Sequence, residues 1–196
     1  MNIQPVILES VHVRLEPMTY DHCDRLFEIG YYDEIWAPNG RVMKNLSDMK
    51  KYVDDAMKEV AEGKSVPFVT IDRQSGMVAG STRFANIERT HRRVEIGWTW
   101  ITPKFQRSYI NTEAKYLMLK HAFETWNVNR VELKTNVLNQ KSRNAMLRIG
   151  AKEEGILRSH MVQENGSIRD TIYFSIISSE WTDVKNNFEL NLLKTR

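Results

Sequence analysis

Lys104 and Arg107 stand in a short polar turn, Lys104-Phe105-Gln106-Arg107-Ser108, between two stretches of opposite periodicity. The first backbone N–H groups of a helix have no internal partner, so a helix starting just past this turn offers an anion site. The two cations add positive charge there. The chemistry this suits is capture of a cofactor's pyrophosphate; the plain alternative is a strand-to-helix turn with no ligand. A second group is Tyr31-Tyr32-Asp33-Glu34-Ile35-Trp36, aromatic and acidic, closed by Pro38, Asn39 and Gly40. Such a loop either receives a cationic amine or packs its own aromatics. Cys23 is the single cysteine, so there is no internal disulfide. Nothing around it is consistently cationic, and it reads as a packing residue rather than a reactive thiol. The five histidines are scattered singly, without metal-ligand spacing.

These groups need elements to hold them. Val94, Ile96, Trp98 and Trp100 alternate with Glu95, Gly97 and Thr99, which predicts a strand that Pro103 stops. Ile110, Ala114, Leu117, Met118 and Ala122 recur at three and four, an amphipathic helix running to Trp126. Val131, Leu133, Thr135 and Val137 form a further strand that runs into Asn139, a good N-cap. Ala145, Met146 and Ile149 then make a helix face that Gly150 ends. This strand–helix–strand unit predicts a right-handed crossover between two parallel strands. If their carboxyl ends part, a crevice opens, and ligands of open α/β sheets sit in such crevices. Upstream the pattern predicts a strand ending at Pro17, a helix over 21–29, a helix over about 48–62 capped by Ser47, and a hairpin of 66–71 with 77–87. Downstream it predicts strands 152–163 and 167–177 joined by Asn165-Gly166, then a terminal helix or fraying tail over 181–193. The fold class is α/β of the α+β kind. It has a central mixed, mostly antiparallel sheet of about seven strands, helices on both faces and a splayed parallel pair.

The chain has 196 residues, 41% of them hydrophobic, which suits one domain over 1–196 with 182–196 as a C-terminal helical tail. The net charge of +3 is too weak a field to argue for nucleic acid, although a pI of about 8.9 does not exclude an acidic or phosphate-bearing ligand. No run is long enough to span a bilayer, and the first residues lack the basic and apolar regions of a signal peptide. The expectation is a cytoplasmic protein without a membrane partner.

Four stretches carry a family resemblance: Glu95-Ile96-Gly97-Trp98; Asn111-Thr112-Glu113-Ala114; Asn139-Gln140-Lys141-Ser142 leading to Ile149-Gly150-Ala151; and Arg169-Asp170 followed by Ser179-Glu180-Trp181. With the order of elements, they resemble the GNAT superfamily of acyl-CoA-dependent N-acyltransferases. The first three look like its E-[IL]-G-[YW] strand, its A-T-E-A cofactor helix and its N-x-x-S helix. The last is similar to the end of the branch that acetylates N-termini of ribosomal proteins. The resemblance spans 11–181. It departs in the pyrophosphate loop [QR]-x-x-G-x-[GA], where Tyr109 and Asn111 stand in place of glycine and of glycine or alanine. Glycine lets backbone N–H groups approach phosphate unhindered. Tyr109 allows the same approach only if its side chain turns outward.

The resemblance implies acetyl-CoA as acyl donor, no metal, and direct attack of a primary amine on the thioester. The amine belongs to a peptide N-terminus or a small molecule. Backbone groups of Trp100, Ile101 and Thr102 would hold the pantetheine arm. Gln106, Arg107, Ser108, Tyr109, Ile110, Asn111 and Thr112 would hold the pyrophosphate. Asn139, Lys141 and Asn144 complete the cofactor set, Lys141 being equally a solvated first-turn lysine. Ser142 is the position the branch uses to protonate the leaving thiolate, and structural capping is its rival role. Glu95 is either the base that takes the amine's proton or half of an ion pair. Tyr31, Tyr32 and Trp36 are the acceptor candidates. A homodimer fits the family. The competing readings are a non-catalytic acyl-CoA-binding module, prompted by Tyr109, and an RNA-associated protein, prompted only by charge.

Overall fold

The computed structural model describes residue 1 and residues 3–194. Eight strands form: β1 (Leu8–Glu9), β2 (Val13–Pro17), β3 (Val66–Asp72), β4 (Val78–Glu88), β5 (Arg93–Ile101), β6 (Arg130–Asn136), β7 (Lys152–Val162) and β8 (Ile168–Ile177). They join in one sheet in the order β1-β2-β3-β4-β5-β6-β8-β7. The strand beyond the expected seven is β1, only two residues long and too short to show a period. Every neighbouring pair is antiparallel except β5 with β6. That pair runs side by side only at Arg93–Glu95 opposite Arg130–Glu132. Beyond those residues the two strands part.

Helices α1 (Cys23–Gly30), α2 (Asp33–Trp36), α3 (Leu46–Ala61), α4 (Ile110–Lys120), α5 (Gln140–Arg148) and α6 (Trp181–Asn187) cover the sheet. Leu26, Trp36, Met49 and Val53 from the first three pack on one face with Val69, Ile71 and Trp100. Ile110 and Met118 of α4, Met146 of α5 and Trp181 and Phe188 at the C-terminal end pack on the other with Phe68, Phe84, Val94 and Leu133. β3 is buried along its whole length because its alternate residues feed both cores.

Three expectations need correction. The cap of α3 is Asn45, not Ser47: Asn45 Oδ1 accepts from the Asp48 N–H at 3.1 Å, and Asp48 Oδ2 accepts from the Asn45 N–H at 3.1 Å. The segment after Tyr32 is a short helix rather than a loop. The alternation along β5 does not hold. Gly97 faces Arg83 while Trp100 faces Ser81, so three steps on β5 match two on β4. This bulge, with Trp98 at φ 49°, turns Trp100 into the core opposite the one that holds Val94 and Ile96. Gly80 permits it: a Cβ there would stand 2.0 Å from the Trp100 carbonyl oxygen. The terminal segment does not fray over its described part. α6 continues as a π-type turn, Phe188–Leu192, with Phe188 fully buried; residues 195 and 196 of the expected tail lie outside the described residues.

Candidate functional site

The parted strands leave residues 96–101 of β5 without a partner on the β6 side. The N-terminal end of α4 stands at the mouth of this crevice, following the turn Pro103–Phe105. Glu113, in the first turn of α4, is 7% exposed and accepts from the His12 N–H at 3.2 Å. His12 Nδ1 lies 2.7 Å from the same carboxylate. These contacts pin the helix end to β2.

Tyr109 decides whether that end is open. Its hydroxyl donates to Asp72 Oδ1 at 2.6 Å, and its ring lies 5.0 Å from His12. Asp72 ends β3, which lies on the side of β5 away from β6. The ring is thus drawn away from the crevice. The hydrogen bond to Asp72 pushes the phenol pKa up to about 12. Asn111 keeps its Oδ1 buried without a partner, an amide waiting for a donor at the first turn. Arg148 reaches over from α5 and donates to Thr112 Oγ1 at 2.9 Å, which brings a cation to the same place. Gln106 Nε2 donates to the Ile101 carbonyl at 3.1 Å and Ser108 Oγ to that of Phe105 at 2.6 Å, so both brace the turn. Arg107 adopts a left-handed φ of 59°. The Ile110 N–H donates to Ser108 Oγ at 3.3 Å; the N–H groups that follow it, with the cations, fit a diphosphate-bearing arm.

On the far side of the crevice Asn139 caps α5, its Oδ1 accepting from the Ser142 N–H at 3.1 Å. The Ser142 hydroxyl makes no hydrogen bond among the described residues and is half-buried. Lys141 is exposed, and Asn144 Oδ1 accepts from Gln140 Nε2 at 2.7 Å.

Glu95 lies on the opposite face of the sheet, 3% exposed. Its carboxylate takes Lys134 Nζ at 2.8 Å and Asn86 Nδ2 at 2.7 Å. It curls along β5 over Gly97, where a Cβ would meet Glu95 Oε1 at 2.9 Å. Next to it the bulge presents Trp98, with the Arg83 guanidinium 5.0 Å and Lys134 5.9 Å from its ring. A cavity of about 370 Å³ opens here, lined by Arg41, Tyr52, Asp55, Lys58, Glu59, Arg83 and Trp98. Trp100 turns its indole into the core, where Nε1 donates to Tyr52 Oη at 3.3 Å; Ile101 and Thr102 close the strand, the Thr102 N–H donating to the Ala79 carbonyl at 2.9 Å. Tyr31 and Tyr32 are exposed, stacked on each other at 4.4 Å, and neither lines this cavity. Trp36 is buried against Tyr52 and Trp100, with Nε1 donating to the Gly30 carbonyl.

Lys115 was not among the expected site residues. It is buried on the α4 side of the bulge, with Nζ donating to Thr99 Oγ1 at 2.6 Å and Thr82 Oγ1 at 3.3 Å. Among the described residues it has no carboxylate partner, and burial pushes its pKa down to about 7. The signal was its place on the inward stripe, three residues before Met118. Arg83, Lys134 and Arg148 were also missed.

Residues 12–152 match the family described as acetyltransferase (GNAT) domain. The Bacillus subtilis protein YdaF, provisionally named a ribosomal N-acetyltransferase, is 36% identical over 110 residues, which are 56% of this chain and 59% of that protein. The chain therefore matches less than two thirds of that relative. A GCN5-related N-acetyltransferase from Brucella melitensis superposes with a TM-score of 0.90 at 29% identity, over 98% of this chain and 87% of that one. A protein from T. thermophilus, provisionally titled an acetyltransferase, gives a TM-score of 0.88 at 30% identity, over 98% of this chain and 100% of that one.

Proposed function

Because the chain belongs to the acetyltransferase (GNAT) family, we propose that it moves an acetyl group from acetyl-CoA to a primary amine by direct attack on the thioester. The observation that carries this reading is the parting of β5 from β6 beyond Glu95 and Glu132, beside a helix end that Tyr109 leaves uncovered. When bound, acetyl-CoA supplies the acyl group and departs as a thiol.

The free edge of β5 from Trp98 offers backbone N–H and C=O groups to the pantetheine arm, the Ile101 carbonyl and the Thr102 N–H being taken by Gln106 and Ala79. The turn from Gln106 through Thr112, together with Arg148, neutralises the diphosphate. Glu95 takes a proton from the acceptor's ammonium, directly or through one water, so that the free amine attacks, and Lys134 and Asn86 keep its carboxylate aimed along β5. An α-amine with a pKa near 8 needs only a weak base of this kind. Ser142, whose hydroxyl makes no hydrogen bond among the described residues, returns a proton to the thiolate. The acceptor is a peptide N-terminus, in keeping with the name of the Bacillus subtilis relative, or a small amine. Its source of acetyl-CoA is the cytoplasm.

One observation favours a second reading, binding without turnover: the Glu95 carboxylate already meets two donors. Thiol release from acetyl-CoA with a panel of amines separates the two. Amine-dependent release supports transfer, and tight acetyl-CoA binding with no release by any amine supports the second.

A further inference from the structure

The loop after α2 and the tip of the β7–β8 hairpin meet across the parted strands. Gln163 Nε2 donates to the Pro38 carbonyl at 3.3 Å, Arg169 Nη1 donates to Asn39 Oδ1 at 3.1 Å, and Arg41 pairs with Glu164. The loop belongs to the helical layer over β2–β5, and the hairpin lies beyond β6, so these contacts span the gap between β5 and β6. Gly40, at φ 64°, fits closely beneath the tip; a Cβ there would stand 2.8 Å from Gln163 Cβ. The groove on the Glu95 face is therefore roofed, and it suits a narrow ligand.

Arg41, Lys58 and Arg83 line the cavity on this face, and Lys134 and Arg169 stand beside it on β6 and β8. Four of these meet carboxylates: Arg41 with Glu164, Lys58 with Asp55 at 3.7 Å, Arg83 with Glu59 at 3.1 Å and Lys134 with Glu95 at 2.8 Å. Arg169 makes no ion pair among the described residues. Its guanidinium donates only to the neutral oxygens of Asn39 and Thr171, each at 3.1 Å. Burial pushes its pKa down, and the charge of Glu95 opposes that shift. Arg83 is 2% exposed and keeps its Nε buried without an acceptor. A half-buried guanidinium with no carboxylate in direct contact carries a desolvation cost that an anion would offset.

We propose that the amine acceptor also carries an anionic group, a carboxylate or a phosphate, which Arg169 and Arg83 hold at the roofed end of this groove. The proposal rests on the acetyl-transfer reading for the identity of this ligand as acceptor. The amine then points along β5 toward Glu95, while the anion replaces the neutral oxygens now facing Arg169.

The test reads binding, so that it stands apart from turnover. Calorimetry on the full chain saturated with CoA compares β-alanine with β-alaninamide, and 3-aminopropyl phosphate with 3-aminopropanol. In at least one pair the anionic amine binds about tenfold tighter or more, as one charged hydrogen bond allows. The pair with the larger ratio identifies the anion. Arg169→Gln, the primary variant because Arg83 is buried, brings that ratio to about one and leaves CoA affinity unchanged. Ratios near one in both pairs for the natural chain overturn the proposal, as does a preference that survives Arg169→Gln. An anion preference without thiol release supports the anion site and counts against the acetyl-transfer reading instead.

Discussion

The Tyr109 hydroxyl donates to the Asp72 carboxylate at 2.6 Å, and this bond holds the ring over β2 and β3, clear of the first turn of α4. A bulky residue thereby stands at the start of α4 without covering its first turn.

Cutting that tether should loosen the ring. Asp72→Ala removes the acceptor of the phenol and of the Ser75 N–H and hydroxyl, at 3.0 and 2.5 Å. The expected result is a stability loss of about 1–3 kcal/mol, read from urea unfolding, together with weaker acetyl-CoA binding by calorimetry. Unchanged acetyl-CoA affinity would show that the ring's orientation does not matter.

Lys115 makes stability depend on pH with a defined sign. Its pKa falls from 10.5 to about 7 on folding, so between those values the unfolded chain binds more protons and stability rises with pH. The penalty is full below pH 7 and fades toward pH 10. Lys115→Met leaves Thr82 and Thr99 bonded to each other at 2.7 Å. It should stabilise the chain by about 1–4 kcal/mol at pH 6 and by progressively less toward pH 10, measured as thermal unfolding against pH. An effect equal at both ends would mean that the lysine is not desolvated.

Ser142→Ala removes a hydroxyl that makes no hydrogen bond among the described residues, while the Asn139 cap stays in place. It should lower kcat and leave acetyl-CoA affinity and stability nearly unchanged. Asn139→Ala should do the reverse in part, costing about 1 kcal/mol through the lost cap and weakening acetyl-CoA binding. Normal turnover by Ser142→Ala would remove serine from the proton path.

Glu95→Gln should lower kcat and flatten the alkaline-rising limb of the pH–rate profile. It also leaves Lys134 without its carboxylate, so stability is measured alongside. Gly97→Ala isolates position from charge: the added Cβ presses on Glu95 Oε1 at 2.9 Å and should lower kcat while the carboxylate remains. Full activity in both variants would leave Glu95 as an ion-pair partner alone.

The sheet and its parallel pair were legible because alternation in β6 and in β5 up to its bulge, Pro103 and the helix between them are local signals. The site was legible only in part. Lys115, Arg83 and Lys134 are cations, and a pattern reads cations as solvent-facing. Their burial depends on which strand or ring lies opposite, which only the folded chain decides. The same holds for Val94, Ile96, Trp98 and Trp100: a period of two puts all four on one face, and the bulge opposite Thr82 turns the two tryptophans to the other. Between Asn45 and Ser47, both good caps, the choice rests on which oxygen reaches the Asp48 N–H.

The most direct test is a crystal structure of the chain with acetyl-CoA. The diphosphate should lie within hydrogen-bond reach of the backbone N–H groups of residues 107–112, the pantetheine arm along residues 98–102, and the Tyr109 hydroxyl still on Asp72. A donor bound elsewhere, or a tyrosine ring swung into the diphosphate's place, would contradict the account.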